Sequence, residues 1–107
     1  MAKHLKNTKK IDVIFETGSS IKVKGLLFKH YDFQDGVVEF GVSVSKKLYP
    51  SAVKRNLIKR RIKEQVKKLG FINSVSEGVS FFLIYTAKEI LSSEEIKKSV
   101  ESLIQKL

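Results

Sequence analysis

A cluster of basic side chains on one side of a predicted helix is the feature of this sequence most suited to chemistry. A strand-like alternation ends at Val44, and the residues after Pro50 predict a helix that has Ser51 as its N-cap and stops at Gly70. Helical spacing puts the apolar residues on one stripe: Ile58, Ile62, Val66 and Leu69. The opposite side carries Asn56, Lys59, Arg60, Lys63 and Lys67. Because Glu64 is the only acid in the helix and solvated faces usually mix charges, the pattern predicts a polyanionic partner.

Residues of the kinds that catalyse reactions or bind metals are few and scattered. His4 and His30 have no second histidine near them, and Asp12, Asp32 and Asp35 form no helical pair of carboxylates. The chain has no cysteine, which excludes disulfides and Cys-ligated zinc and fits a reducing compartment. It also has no Gly-rich phosphate loop. The sequence therefore predicts a protein that is not catalytic by itself and whose side chains hold no metal or cofactor.

Composition points to the same class of partner. The chain has 107 residues, enough for one domain, with 21 basic and 11 acidic residues and a net charge of +10. Its pI of about 9.9 is typical of a nucleic-acid-binding domain, although lysine that merely aids solubility is the simpler alternative. Residues 1–8 are basic with little to bury, and predict a mobile arm. No apolar run approaches the ~20 residues of a membrane span, so we expect a cytoplasmic protein without a membrane partner. We also expect no small-molecule substrate.

The first half of the chain predicts one helix and three strands. Residues 8–17 favour a helix that Thr8 caps and Gly18 ends. Residues 20–33 resemble two short strands that a bulge or break at Gly25 separates. Asp35 and Gly36 predict a hairpin turn, with residues 37–45 as the antiparallel partner of the preceding strand.

The second half adds a buried strand and a structural helix. Residues 79–85 (VSFFLIY) are almost continuously apolar, which is typical of a strand buried on both sides and paired in parallel within a βαβ unit. Ser92 and Glu95 form a capping box before a final helix of mixed charge. Its apolar face consists of Ile96, Val100, Leu103, Ile104 and Leu107. The predicted class is α+β, in the order α-β-β-β-α-β-α: a two-layer α/β sandwich of a small mixed four-stranded sheet and three helices.

The central third of the chain resembles a known signature. The segment SVSKK, then four residues, then AVKRNLIKRRIKE is similar to the motif of the bacterial ribonuclease P protein component family: a strand ending in Lys-Lys, a short loop, and a helix with Arg-Asn-x-x-Lys-Arg-x-x-basic. The matching positions are Lys46, Lys47, Arg55, Asn56, Lys59, Arg60 and Lys63. The family often reads Arg-Asn-Arg, whereas Leu57 stands here at the third position. One phosphate contact that the family would supply is therefore in question.

This resemblance implies both a fold and a function. The fold would be ribosomal-protein-S5-like with an unusual left-handed βαβ crossover. The protein would be the accessory subunit of the ribonuclease P endoribonuclease, binding the ribonuclease P RNA and the 5′ leader of precursor tRNA. The RNA subunit would perform the Mg²⁺-dependent hydrolysis that releases the leader.

The resemblance also implies roles for particular residues. The seven signature positions would bind RNA. The candidates for a cleft that receives the leader are Phe15, Ile11, Phe28 and Lys29. Phe15 matches a family aromatic that lines this cleft, whereas Ile11 replaces the preceding one; core packing is the equal alternative for Phe15. Asn56 either orients a neighbouring arginine or caps the preceding loop locally.

Three other functional classes compete with this hypothesis. A ribosomal or other structural RNA-binding protein would share the basic helix but would need no leader cleft. A nuclease with its own active site is disfavoured by the missing catalytic residues. DNA binding is less favoured than RNA binding, although charge alone does not distinguish them.

Overall fold

The computed structural model describes residues 3–107, which form five strands and three α-helices. In chain order these are β1 (Lys3–His4), α1 (Thr8–Thr17), β2 (Ser19–Val23), β3 (Leu26–Asp32), β4 (Glu39–Val44), α2 (Ala52–Lys68), β5 (Val79–Tyr85) and α3 (Ser93–Lys106), with a 3₁₀ turn at Phe71–Ser74. The α+β class and the order of the seven predicted elements are confirmed. The two-residue strand β1 is an addition to the four predicted strands. No helix in residues 3–107 is long and apolar enough to cross a membrane.

The strands form one mixed sheet in the order β1-β4-β5-β3-β2. β4 pairs in parallel with β1 and with β5, while β3 pairs antiparallel with both β2 and β5. Helix α2 connects the parallel neighbours β4 and β5, which confirms the predicted βαβ unit.

The predicted hairpin at Asp35 and Gly36 is wrong. β5 lies between β3 and β4, so these two strands do not pair. A strand that is apolar on both faces is typical of the centre of a sheet, and β5 takes this central position, which separates β4 from β3. The hairpin instead joins β2 to β3, where Gly25 has a φ of 76° and so takes the left-handed conformation that glycine tolerates. The predicted bulge or break at this glycine is therefore a turn.

Helices α2 and α3 cover one face of the sheet and enclose the core. The predicted apolar stripes are confirmed at Ile58, Ile62, Val66, Ile96, Val100 and Leu103, all of them buried. They pack with strand residues that include Phe28, Phe81, Leu83 and Tyr85. Leu107, which we expected on the apolar face of α3, is exposed at the end of the chain. The predicted caps are also present, at Ser51 and at the Ser92–Glu95 capping box, and Gly70 follows α2 in the left-handed conformation.

The start of the described chain lies on the sheet. β1 pairs with β4, the Leu5 amide donates to the carbonyl of Phe40 at 3.0 Å, and the Leu5 side chain is buried. The expectation of an arm over residues 1–8 is therefore wrong for residues 3–5, because Leu5 gives the segment an apolar anchor; residues 1 and 2 lie outside the described residues. Asn7, not Thr8, caps α1, since its side-chain oxygen accepts from the amides of Lys9 and Lys10 at 3.0 and 3.3 Å.

Lys10 secures the beginning of α1 to the loop before β4. Its ammonium group donates to Glu39 Oε1 at 2.7 Å and to Asp35, and it lies 5.0 Å from the centre of the Phe33 ring. The hydrogen bond from Lys10 lowers the pKa of Asp35 below its ordinary value. Asp35, which appeared isolated in the sequence, thus has a structural partner, and the charge of Lys10 is largely neutralised within the protein.

We predict that Phe28→Ala destabilises the fold strongly. The Phe28 side chain is only 1% exposed and packs against Phe71 and Phe81, with ring centres 5.6 and 5.1 Å away. Its loss leaves a cavity, so the free energy of unfolding should fall by about 3–5 kcal/mol in urea titrations. Tyr31→Ala on the same strand is the control: Tyr31 is exposed, so its loss should cost several-fold less. Equal losses in the two variants would contradict this placement of Phe28.

Candidate nucleic-acid interface

The solvent side of α2 and the loop before it form one basic surface. Asn56, Arg60 and Lys63 are exposed on the side of the helix opposite the buried Ile58 and Ile62, while Lys59 is half-buried beside them. Lys46 and Lys47 are exposed in the loop that follows β4. We call this set of six residues, Lys46, Lys47, Asn56, Lys59, Arg60 and Lys63, the basic surface. Six of the seven signature residues therefore lie at the protein surface, on α2 or in the loop before it.

Arg55, the seventh, makes contacts of a different kind. Its Nη1 donates to the carbonyl oxygens of Tyr49 and Pro50, at 2.9 and 2.8 Å, and the residue is half-buried. These bonds join the loop to the first turn of α2. Arg55 therefore positions the loop that carries Lys46 and Lys47, whatever contact its guanidinium also makes with a ligand.

Further hydrogen bonds fix the conformation of the same loop. The Ser45 hydroxyl oxygen accepts from the amides of Lys47 and Leu48, at 3.1 and 3.4 Å. The buried Tyr49 donates its hydroxyl to the carbonyl of Ala87 at 2.9 Å. The two lysines are thus displayed by an ordered loop, which reduces the entropy lost when they bind a ligand.

The other two arginines of α2 have different surroundings. Arg61 donates from Nη1 to the carbonyl of Leu91 at 2.7 Å and so connects α2 to the loop before α3. Arg60 is exposed and makes no hydrogen bond or ion pair within residues 3–107. Glu64, the only acid of the helix, pairs with Lys68 at 3.1 Å in the last turns. The guanidinium of Arg60 is thus available to a bidentate anion such as phosphate.

The opposite face of the sheet carries a second candidate surface. Directly paired residues of neighbouring strands point to the same face, and the pairing places Lys29 of β3 opposite Phe82 of β5, with Gly41 of β4 on the other side of Phe82. Leu27 and Ile84 form the next pair on this face and are half-buried. Helix α1 packs on this face against β3 and β5.

Three side chains define this aromatic cleft: Phe15, Lys29 and Phe82. Phe15, on α1, is 40% exposed, and its ring centre lies 5.2 Å from that of Phe82. Lys29 Nζ donates to the Phe15 carbonyl at 2.9 Å and lies 5.8 Å from the Phe15 ring centre. A Cβ atom on Gly41 would approach the Phe82 ring to 2.4 Å, so glycine is what allows this ring to lie against the sheet. The cleft thus combines aromatic faces with a positive charge.

The leader-cleft candidates from the sequence divide between two environments. Phe15 and Lys29 lie in the aromatic cleft, and Ile11 is half-buried on the same helix. The expectation for Phe28 is wrong: its pairing with the buried Leu83 of β5 places it on the inner face, in the core beneath the helices. Phe82 was missed, since the continuous apolar run of β5 hides which residues face outward. The sequence feature that points to Phe82 is Gly41, its partner in β4, and this feature can be used only once the pairing of β4 with β5 is known.

The structure also places the acids and histidines that could bind a metal ion. Within residues 3–107 no group of three or more His, Cys, Asp and Glu side chains is placed to hold a metal ion. His30 stacks on Phe28 with ring centres 4.8 Å apart, and burial lowers the pKa of His30. The arrangement favours binding through charge and stacking.

Comparison with known proteins identifies the family. The family model described as Ribonuclease P matches residues 1–107. The chain belongs to the ribonuclease P protein family. A Clostridium kluyveri relative named ribonuclease P protein component is 34% identical over 103 residues, which cover 95% of this chain and 91% of that protein.

Solved structures agree with this ribonuclease P assignment. The Staphylococcus aureus RNase P protein is 27% identical, with a TM-score of 0.79 over 98% of this chain and 94% of its own. The RNase P protein from Thermotoga maritima shares the fold at 17% identity, with a TM-score of 0.79 over 98% and 97% of the two chains. The signature that suggested the ribonuclease P family from the sequence therefore coincides with the exposed basic surface of the fold.

We predict that Arg60→Ala weakens binding of ribonuclease P RNA without affecting the fold. If Arg60 neutralises one phosphate, the slope of log K against log salt should flatten by about one unit. Filter binding or anisotropy over a range of salt concentrations measures this slope. Lys98→Ala, which removes an exposed charge from α3, is the matched control and should leave the slope as it is. An unchanged slope for Arg60→Ala would exclude this residue as a phosphate contact.

Proposed function

We propose that this ribonuclease P protein binds the catalytic RNA through its basic surface and the 5′ leader of precursor tRNA in its aromatic cleft. The RNA subunit then performs the Mg²⁺-dependent cleavage that gives the mature 5′ end. The observation that carries the proposal is the presence of two surfaces of different chemistry on opposite faces of one sheet. Charged side chains lie on the helical layer, and the exposed Phe15 and the half-buried Phe82 lie together on the other face.

The chemistry of the basic surface suits a folded RNA. Folded RNA concentrates phosphates, and lysine and arginine that neutralise them release condensed counterions, so the affinity depends steeply on salt. Arg60 would form a bidentate contact, while the lysines of the loop and the helix would act as point charges. The same charges would reduce the repulsion between the catalytic RNA and precursor tRNA. We therefore expect the protein to lower the Mg²⁺ concentration that cleavage requires.

The chemistry of the aromatic cleft suits a single strand of variable sequence. A nucleobase can stack on Phe15 or Phe82 whatever its identity, with a contribution of about 1–3 kcal/mol per base. Lys29 lies close enough to Phe15 to contact the phosphate beside a stacked base. Such a site binds leaders without reading their sequence, as an enzyme that processes many precursor tRNAs needs.

The residues of the protein support a role in binding. The acids and histidines of residues 3–107 form no cluster that could hold a metal ion, so we assign the Mg²⁺ ions to the RNA subunit. The protein would contribute affinity and orientation, and the reacting phosphate would be activated by groups of the RNA.

We predict that Phe15→Ala reduces affinity for precursor tRNA more than for mature tRNA in the reconstituted holoenzyme. Removal of one stacking ring should weaken precursor binding by about 5- to 150-fold, whereas mature tRNA, which has no leader, should lose little. The affinities for both tRNAs are measured in Ca²⁺, which slows cleavage, and the readout is the ratio of precursor affinity to mature affinity. Ile90→Ala is a control for an exposed apolar residue outside the cleft. If this ratio is the same as in wild type and the free energy of unfolding falls, Phe15 contributes only to the packing of the protein.

The proposal as a whole is tested by reconstitution. We expect the protein to stimulate cleavage of precursor tRNA by a bacterial ribonuclease P RNA at low Mg²⁺, with no cleavage by the protein alone. Binding to RNA without any stimulation would instead favour a structural RNA-binding role, such as that of a ribosomal protein. Cleavage by the protein alone would reveal a nuclease and would contradict the assignment of catalysis to the RNA.

A further inference from the structure

One exposed apolar side chain lies in line with the residues of the basic surface. Val53 is 79% exposed, far more than Leu107, which at 45% is the next most exposed large hydrophobic residue that the structure describes. From Val53 the spacing to Asn56, Arg60 and Lys63 is three, four and three residues, so the four side chains follow one line along the solvent side of α2. Single exposed hydrophobic residues are common on proteins. This one is notable because it heads a line of residues that we assign to RNA.

The turn that presents Val53 is firmly held. The Ser51 hydroxyl oxygen accepts from the Lys54 amide at 3.4 Å, and Arg55 binds the carbonyls of Tyr49 and Pro50 just before the helix. Valine is also stiff at χ1 because it is branched at Cβ. Val53 therefore loses little entropy on contact with a ligand, unlike an apolar group on a frayed helix end.

The charges around Val53 select the class of partner. Residues 40–63 contain no acidic residue and have eight basic ones: Lys46, Lys47, Lys54, Arg55, Lys59, Arg60, Arg61 and Lys63. A partner at this site must bring dense negative charge together with a surface that accepts an apolar side chain. A folded RNA has both, since phosphates alternate with riboses and unstacked bases expose apolar faces.

We propose that Val53 packs against a ribose or an unstacked base of the ribonuclease P RNA and thereby sets the register of α2 on that RNA. This inference rests on the proposed function, because it takes the basic surface as the site of the catalytic RNA. An aliphatic side chain forms no hydrogen bond with phosphate. Val53 therefore adds shape-dependent affinity to a line of contacts that are otherwise electrostatic. The leader is excluded as its partner, since the aromatic cleft lies on the opposite face of the sheet from α2.

The test compares Val53→Thr with Arg60→Ala and wild type. Threonine keeps the branched shape and replaces one methyl with a hydroxyl, and the exposure of the site means that the fold should be unaffected. We expect Val53→Thr to weaken binding of ribonuclease P RNA by about three- to tenfold, since a polar group would be desolvated in place of a methyl. The salt slope should stay at the wild-type value, whereas Arg60→Ala should flatten it. Ile90→Thr, an exposed apolar residue in the loop before α3, should bind as wild type.

The outcomes separate this inference from the function on which it rests. If Arg60→Ala weakens binding and Val53→Thr does not, the Val53 contact is wrong and the basic surface stands. If wild type fails to bind the RNA in a salt-dependent way, the proposed function itself fails. A changed salt slope for Val53→Thr would also overturn the inference, because it would indicate altered phosphate contacts. Loss of self-association in sedimentation, with RNA affinity unchanged, would assign Val53 to an interface between copies of this chain.

Discussion

The central position of β5 is the constraint on which the rest of the structure depends. Its neighbouring residues Phe81 and Phe82 point to opposite faces of the sheet, so one strand supplies both the core and the aromatic cleft. Phe81 is buried with Phe28 and Phe71 beneath the helices, and this packing fixes β5 against β3 and β4. Phe82 is then held on the other face, where its ring contacts Phe15 of α1. The stability of the core thus determines the geometry of the surface that we assign to the leader.

The three arginines of α2 have different roles: two hold neighbouring loops, and one is available to a ligand. Arg55 fixes the preceding loop and Arg61 fixes the loop before α3, each through carbonyl oxygens 2.7–2.9 Å away. Arg60, between them in sequence, has no such bond within the described residues. Because the helix is anchored at two points, Arg60 and its neighbours are held in a fixed arrangement before a ligand arrives. The signature residues look like equivalent phosphate contacts in the sequence. One of them, Arg55, instead helps to position the others.

Local patterns predicted the helices of this fold better than the pairing of its strands. The stripe from Ile58 to Val66 and the capping box at Ser92 depend on residues close in sequence, so their spacing alone predicts them. The neighbours of β3 depend on β5, which follows almost fifty residues later, and the hairpin signal at Asp35 is outweighed by burial of β5 on both faces. The pairing of β3 with β5 also determines that Phe28 faces the core and that Lys29 faces the aromatic cleft. The burial of Leu5 likewise could not be predicted from the sequence, because one apolar residue among lysines forms no periodic pattern.

The distribution of charge separates the binding surface from the scaffold. Residues 40–63 hold eight of the 21 basic residues and none of the 11 acidic ones, so the rest of the chain, with 13 basic residues, is close to balanced. In that remainder, Lys10 is neutralised by Asp35 and Glu39, and α3 mixes both signs along its polar side. Self-repulsion within a concentrated positive patch opposes folding, and it is relieved when a polyanion binds. Binding of RNA should therefore stabilise this protein through α2 in particular, which the hydrogen bonds of Arg55 and Arg61 already anchor at two points.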